Sequence, residues 1–180
     1  MRLSAKTEYA AIAVLELARN WGSEEPVRIR SIAAAHGVPS RFLVQILESI
    51  RAEVGYDYCV GIRLPNEEYI PGGLSPDDIA LIARTVEPYV DYTSLHMGSY
   101  WRFYKLLAPM DEPLGNEMAS NAVITKHLTK PTMVVGRIMT LDLAEHIVGS
   151  GQGSMVSMVR ALIADPELVV KAERGDEHLV

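Results

Sequence analysis

Two stretches of this 180-residue chain carry glycine or arginine directly after apolar runs. One is Thr132-Met-Val-Val-Gly-Arg-Ile138, and the other is Met155-Val-Ser-Met-Val-Arg-Ala-Leu-Ile-Ala-Asp-Pro166. Gly136, Arg137, Val159 and Arg160 therefore stand where strands would end. Glycine lets a ligand approach the backbone, arginine gives charge-assisted hydrogen bonds, and a following helix N-terminus adds N–H groups. That combination suits a phosphate. The same residues also fit arginines held in surface salt bridges and a glycine that only turns the chain, and geometry alone does not choose.

The other reactive side chains form no comparable pattern. His36, His96, His127, His146 and His178 share no ligand spacing, so no metal site is expected. His96 falls near a strand end and could face a site, although a packed or surface histidine is the simpler reading. Glu67-Glu68 and Asp77-Asp78 are explained by loop solvation and helix capping. Tyr100 or Tyr104 could donate a proton, and Trp101 or Tyr104 could stack on a ligand; a hydrophobic lid fits these aromatics as well. Met97, Met110, Met118, Met133, Met139, Met155 and Met158 read as core filling. No catalytic residue follows from these groups.

Bulk composition narrows the class. Apolar residues make up 48% and charged residues 22%, enough for an ordinary globular core. The formal net charge of −6 argues against a general nucleic-acid binder. The charge is uneven: residues 1–47 hold six Lys/Arg against four Glu, which is +2 and leaves −8 for the remainder. A single cysteine, Cys59, excludes an internal disulfide and a cysteine-based zinc or iron–sulfur site within one chain. At a strand start in apolar surroundings it reads as an inert core thiol. No signal-type apolar run and no span of membrane length is present, so a soluble cytoplasmic protein is expected.

The elements that must position the phosphate candidates form a regular alternation. Short, nearly continuous apolar runs predict strands at 59–64, 90–95, 132–135 and 154–157, buried on both faces. Between them the spacing predicts helices over 76–86, 117–128 and 141–148, with a last helix over 166–173. Ser75-Pro-Asp-Asp78 is a strong helix start, with a capping serine, proline at the first position and acids near the positive end. Helices between short parallel strands imply right-handed crossovers. The fold class is thus α/β: four βα units over residues 51–180, half of an eight-stranded (β/α)8 TIM barrel, preceded by an all-α segment.

That all-α segment, residues 1–50, has the plan of a helix-turn-helix. An amphipathic helix is expected over 5–21, a second over 29–36, a Gly37-Val-Pro-Ser40 turn, and a third helix through Leu47. Ser40, Arg41 and Gln45 would then face base edges in a major groove.

Several ordered motifs carry a resemblance over residues 41–180. Val60-Gly-Ile-Arg-Leu64, Pro71-Gly-Gly-Leu-Ser75, Gly98-Ser99, Val135-Gly-Arg-Ile138 and Arg160-Ala-Leu-Ile-Ala-Asp-Pro166 resemble the C-terminal half of the Old Yellow Enzyme family, nearest its dienoyl-CoA reductase and trimethylamine dehydrogenase branch. The resemblance implies FMN as cofactor, NAD(P)H as hydride source, and a phosphate held at Gly136, Arg137, Val159 and Arg160. It also implies that Arg63 approaches the flavin's pyrimidine edge. Three departures stand out. Val159 replaces a glycine or alanine and could crowd the phosphate, Ser154 replaces an aspartate, and no histidine occupies Gly98–Tyr104, where that branch carries its acid. The family's first four barrel strands have no counterpart.

The N-terminus resembles another family. Met1-Arg-Leu-Ser-Ala-Lys-Thr-Glu-Tyr-Ala10, Val27-Arg-Ile-Arg-Ser-Ile-Ala33 and Val38-Pro-Ser-Arg-Phe-Leu-Val-Gln-Ile-Leu47 are similar to IscR-like winged-helix repressors, which implies DNA contact. The chain therefore reads as a chimera. Partial flavin binding is its leading function, and a DNA-binding transcriptional regulator with the half-barrel as sensing or dimerisation body is the alternative. Two exposed sheet edges predict self-association.

Overall fold

The computed structural model describes residues 42–98 and 102–176. By contacts, the chain divides into one unit of Met1–Tyr58 with Ile70–Gly73 and a second of Cys59–Tyr69 with Leu74–Val180. The expected helices over 5–21 and 29–36, Ser40, Arg41, Tyr100 and Trp101 lie outside the described residues.

In the first unit, α1 runs Phe42–Val54, beyond the expected end at Leu47. Val44 and Leu47 are buried, three residues apart on one face, while Gln45 is exposed. Gly55 ends the helix at φ +73, its N–H donating to Arg51 O at 2.9 Å. The Arg51 side chain is buried, donates to Tyr58 O at 2.8 Å and lies over the Tyr56 ring at 5.4 Å. This arginine ties the helix to its own exit.

The second unit is a four-stranded parallel sheet in the order β1-β2-β3-β4. The strands are β1 (Gly61–Pro65), β2 (Tyr92–His96), β3 (Thr132–Val134) and β4 (Met155–Val156). The helices are α2 (Pro76–Val86), α3 (Phe103–Leu106), α4 (Met118–Thr125), α5 (Leu141–Gly149), α6 (Val159–Ala164) and α7 (Leu168–Arg174). All four expected strands and all four expected helices of this half are present within a few residues. The short α3 and α6 are additions. Val159 and Arg160 follow the fourth strand and open α6.

Register and alternation sort the strand residues into two faces. Ile62 pairs with Thr93 and Leu64 with Leu95, while Thr93 pairs with Thr132 and Val134 with Val156. This face supplies Leu64, Leu95 and Val134 to the core, where they meet Ile79 and Ala83 of α2, Ile124 of α4, Ala144 and Ile147 of α5, and Leu168 of α7. Burying a side chain of that size contributes about 1.5–3 kcal/mol, so this one-sided cluster accounts for most of the drive to form the sheet. The opposite face carries Arg63, then Ser94 and His96, then Met133 and Met155. Arg63 is exposed there, and His96, Met133 and Met155 are half-buried.

Local signals start the helices as the sequence indicates. Ser75 and Asp78 form a capping box, with Ser75 Oγ accepting from Asp78 N–H and Asp78 accepting from Ser75 N–H. Thr140 Oγ1 accepts from Leu143 N–H at the start of α5. Three expectations need correction. Cys59 is exposed, because β1 begins only at Gly61 and the thiol lies on the approach to the strand. Met110 is 88% exposed, since it sits in the loop after α3 and not on an element, so it fills no core. Glu67 and Glu68 do more than solvate a loop: Glu67 accepts from Ser120 Oγ and Glu68 from Leu74 N–H. No helix among the described residues is long and apolar enough to cross a membrane.

Candidate functional site

Gly136-Arg137 follows β3 and Val159-Arg160 follows β4, at the C-terminal side of the sheet. Gly136 is buried at φ +143, a region that other residues avoid. A Cβ there would lie 2.8 Å from Glu117 Cβ and 3.1 Å from Glu117 N, so the position requires glycine on steric grounds too. Arg137 follows at φ +49, also left-handed, and its Nη1 donates to Glu112 O. Arg160 Nη1 donates to Ala108 O at 2.8 Å. The structure therefore brings Arg137 and Arg160 to one segment, the chain that leaves α3. The Glu112 carboxylate in that segment is paired with Lys105. Each arginine has five N–H donors, and a single bond to a carbonyl occupies one of them. Val159 is 65% exposed at the start of α6, so its side chain is not packed against the glycine. Ser154 Oγ accepts from Thr132 N–H at 3.1 Å, an acceptor role that an aspartate could also fill.

Beneath Gly136 lies a buried polar cluster that sequence reasoning missed. Asn66 directly follows β1, Glu117 directly precedes α4, and Asn121 sits one turn into α4. Asn66 and Asn121 are 0% exposed and Glu117 is 3% exposed. Asn66 Nδ2 donates to Glu117 Oε2 at 3.1 Å and to Asn121 Oδ1 at 2.8 Å. Asn121 Nδ2 donates to Val135 O at 3.3 Å, the carbonyl immediately before Gly136. Met97, just past β2, donates its backbone N–H to the Glu117 carboxyl. The cluster thus joins the ends of β1, β2 and β3. A trace of it exists in the sequence: Glu117, Asn121 and Ile124 fall at helical spacing on a face that Ile124 marks as buried.

Electrostatics follow from this burial. Desolvation pushes the Glu117 carboxyl up to about 8, against the lowering influence of the Asn66 amide, the Met97 N–H and the Arg63 charge. Burial also holds the His96 imidazole below its ordinary range, and Arg63 adds to that lowering while a bond to Met97 O opposes it. His96 and Glu117 are thus both neutral at neutral pH. Arg63, on the open face of β1, acts on both of them. Of the proposed DNA contacts, Gln45 is exposed on α1 of the other unit, and Ser40 and Arg41 lie outside the described residues. A shallow surface concavity follows α5 along Asp142, Glu145, His146, Gly149 and Ser150 and includes none of the residues above.

Two outcomes are expected. Gly136→Ala should lower stability in urea unfolding by about 2 kcal/mol, because it adds left-handed strain to a clash with Glu117; a loss below about 0.5 kcal/mol would contradict the tight fit. The raised Glu117 pKa has a definite sign in linkage. Below its ordinary value of 4.5 its contribution is fully present, and it is lost as pH rises towards 8. Unfolding free energy measured without ligand should carry a downward component of at most about 1.4 kcal/mol per pH unit across that window and level off above it.

Comparison with known proteins gives this geometry a context. Residues 39–178 match the NADH:flavin oxidoreductase / NADH oxidase family, nearly the stretch over which the motifs resemble Old Yellow Enzyme. NADH oxidase of Thermoanaerobacter brockii is 31% identical over 139 residues, covering 77% of this chain and 21% of that protein. NADPH dehydrogenase of Clostridium acetobutylicum is 25% identical over 136 residues, covering 75% of this chain and 39% of that protein. Among solved structures, 2-naphthoyl-CoA reductase in complex with 2-naphthoyl-CoA superposes with a TM-score of 0.68 at 26% identity, covering 87% of this chain and 24% of that one. Histamine dehydrogenase from Rhizobium sp. 4-9 shares the fold, with a TM-score of 0.69 at 22% identity over 90% of this chain and 22% of that one. The chain spans about a fifth to two fifths of the length of these relatives. Its parallel α/β sheet matches part of their barrel, and the chain belongs to the NADH:flavin oxidoreductase / NADH oxidase family.

Proposed function

We propose that the half-barrel binds the phosphate of FMN at Gly136, Arg137 and Arg160, with Arg63 serving the pyrimidine edge of the flavin. The observation that carries this reading is the cradle after β3: a buried left-handed Gly136 with no room for a Cβ, beside two arginines that converge on Ala108 and Glu112. Such a glycine lets the loop turn tightly over Glu117, and the two guanidiniums, each with donors to spare, would supply charge-assisted hydrogen bonds to a phosphate. The cradle therefore fits the phosphate end of the cofactor. Val159 fits as well, since its side chain is exposed. The flavin, when bound, would carry hydride between NAD(P)H and a substrate. Arg63 would supply positive charge near the ring, and neutral His96, on the same face, whose Nδ1–H donates to Met97 O, would offer Nε2 as an acceptor.

The outer strands β1 and β4 offer a partner surface. Their outer edges, unpaired among the described residues, and the open face between them fit a second copy, whose β4 would lie beside β1 in a parallel ladder under two-fold symmetry. Light scattering should give a dimer; a stable, monodisperse monomer would count against this pairing.

The phosphate assignment is tested by fluorescence titration with FMN. Arg160→Ala should weaken binding by about tenfold or more, as expected for loss of a charge-assisted bond to phosphate. Arg84→Ala, on the exposed side of α2, should leave it unchanged. Equal effects would remove the assignment.

A further inference from the structure

The phosphate cradle rests on an acid that no part of the flavin reading uses. Glu117 Cβ is the nearest obstacle to a side chain at Gly136, so the acid and the glycine are in direct contact. Its carboxyl accepts from Asn66 after β1 and from Met97 after β2, and the Asn66–Asn121 pair continues to Val135 O after β3. The cluster has too few donors. Asn66 Oδ1 is buried with no donor at all, and an ionised Glu117 would add only acceptors. A carboxyl proton supplies one more donor. The charged groups around Glu117 are few. From β1 comes Arg63, whose charge favours ionisation, and from the loop comes Arg137, whose guanidinium is turned to Glu112 O. From β2 comes His96, which is neutral, and on α4 Ser120 engages Glu67. A phosphate monoester at Gly136 would bring negative charge next to this group, and a carboxylate in the same dry region would repel it.

We propose that Glu117 is the positioning residue of the phosphate loop and works as a neutral acid: protonated, it fixes the Gly136 turn to the ends of β1 and β2 and admits a phosphate, and on ionising it expels the ligand. This inference rests on the flavin-phosphate reading and specifies how that site responds to pH.

The test combines FMN titrations of wild type, Glu117→Gln and Glu117→Leu with unfolding curves taken without ligand. Glu117→Gln keeps the shape and an acceptor without a charge. It should match wild type near pH 7 and exceed it about tenfold in affinity near pH 9, a change of one power of ten for each unit above the pKa. Glu117→Leu should bind weakly at both pH values. Without ligand, wild type should lose stability relative to Glu117→Gln as pH rises from 4.5 to about 8. If Glu117→Gln does not fold, the carboxyl C=O infrared band of wild type replaces it: its loss on titration through about 8, in step with loss of FMN, supports the role, and its absence at pH 6 overturns it. Wild type that binds FMN with the same pH profile as Glu117→Gln overturns this role and leaves the flavin site standing. Wild type that binds no FMN at any pH overturns the flavin reading and this role together, whatever the unliganded curves show.

Discussion

Where three parallel strands end side by side, the groups that leave them must find partners away from water. In this chain Glu117 meets much of that need, holding Asn66 and Met97 with its carboxyl and filling the space where Gly136 would otherwise carry a side chain. The rest of the candidate site hangs on this contact. With Glu117 in place, only a glycine fits at position 136; Gly136 and Arg137 both hold positive φ, and the Arg137 guanidinium reaches Glu112 O. Breaking a buried polar cluster of this kind leaves unpaired groups in a low-dielectric interior, each costing about 1–3 kcal/mol. The loop is therefore as rigid as the cluster is intact.

Elements and site differ in how far the sequence foretold them. Strands such as Thr132–Val134 and starts such as Ser75-Pro-Asp-Asp78 are specified within a few residues, by burial on both faces and by capping chemistry. They could be read directly. Gly136, Arg137 and Arg160 were likewise visible, through motif and strand-end position. Their tethers were not, because Ala108 and Glu112 lie far away in sequence and act through backbone carbonyls, which carry no side-chain signature. Asn66, Glu117 and Asn121 escaped because their side-chain bonds span more than fifty residues, and the helical spacing of Glu117 and Asn121 does not point to Asn66. Cys59 was misplaced by an element boundary, because β1 starts later than expected.

Family membership and the geometry of the chain meet at one end of the sheet. The stretch shared with this chain is about a fifth to a quarter of relatives several times longer. Here one sheet face is closed by helices and packed on Leu95, Ile79 and Ile124, whereas the other carries Arg63 and half-buried His96, Met133 and Met155. Charge and open backbone concentrate at the C-terminal ends of the strands, as the barrel plan requires of a ligand-binding end. The proposed phosphate half of such a site would be built by a short run of local loops and one buried acid. The ring half depends on Arg63 and on whatever covers the open face.

The central claim is that these loops hold a flavin phosphate, and the visible spectrum of the size-exclusion peak after purification with added FMN tests it most directly. A yellow peak with about one flavin per chain, eluting at the size of a dimer, is the expected result. A colourless peak of folded protein would contradict the claim.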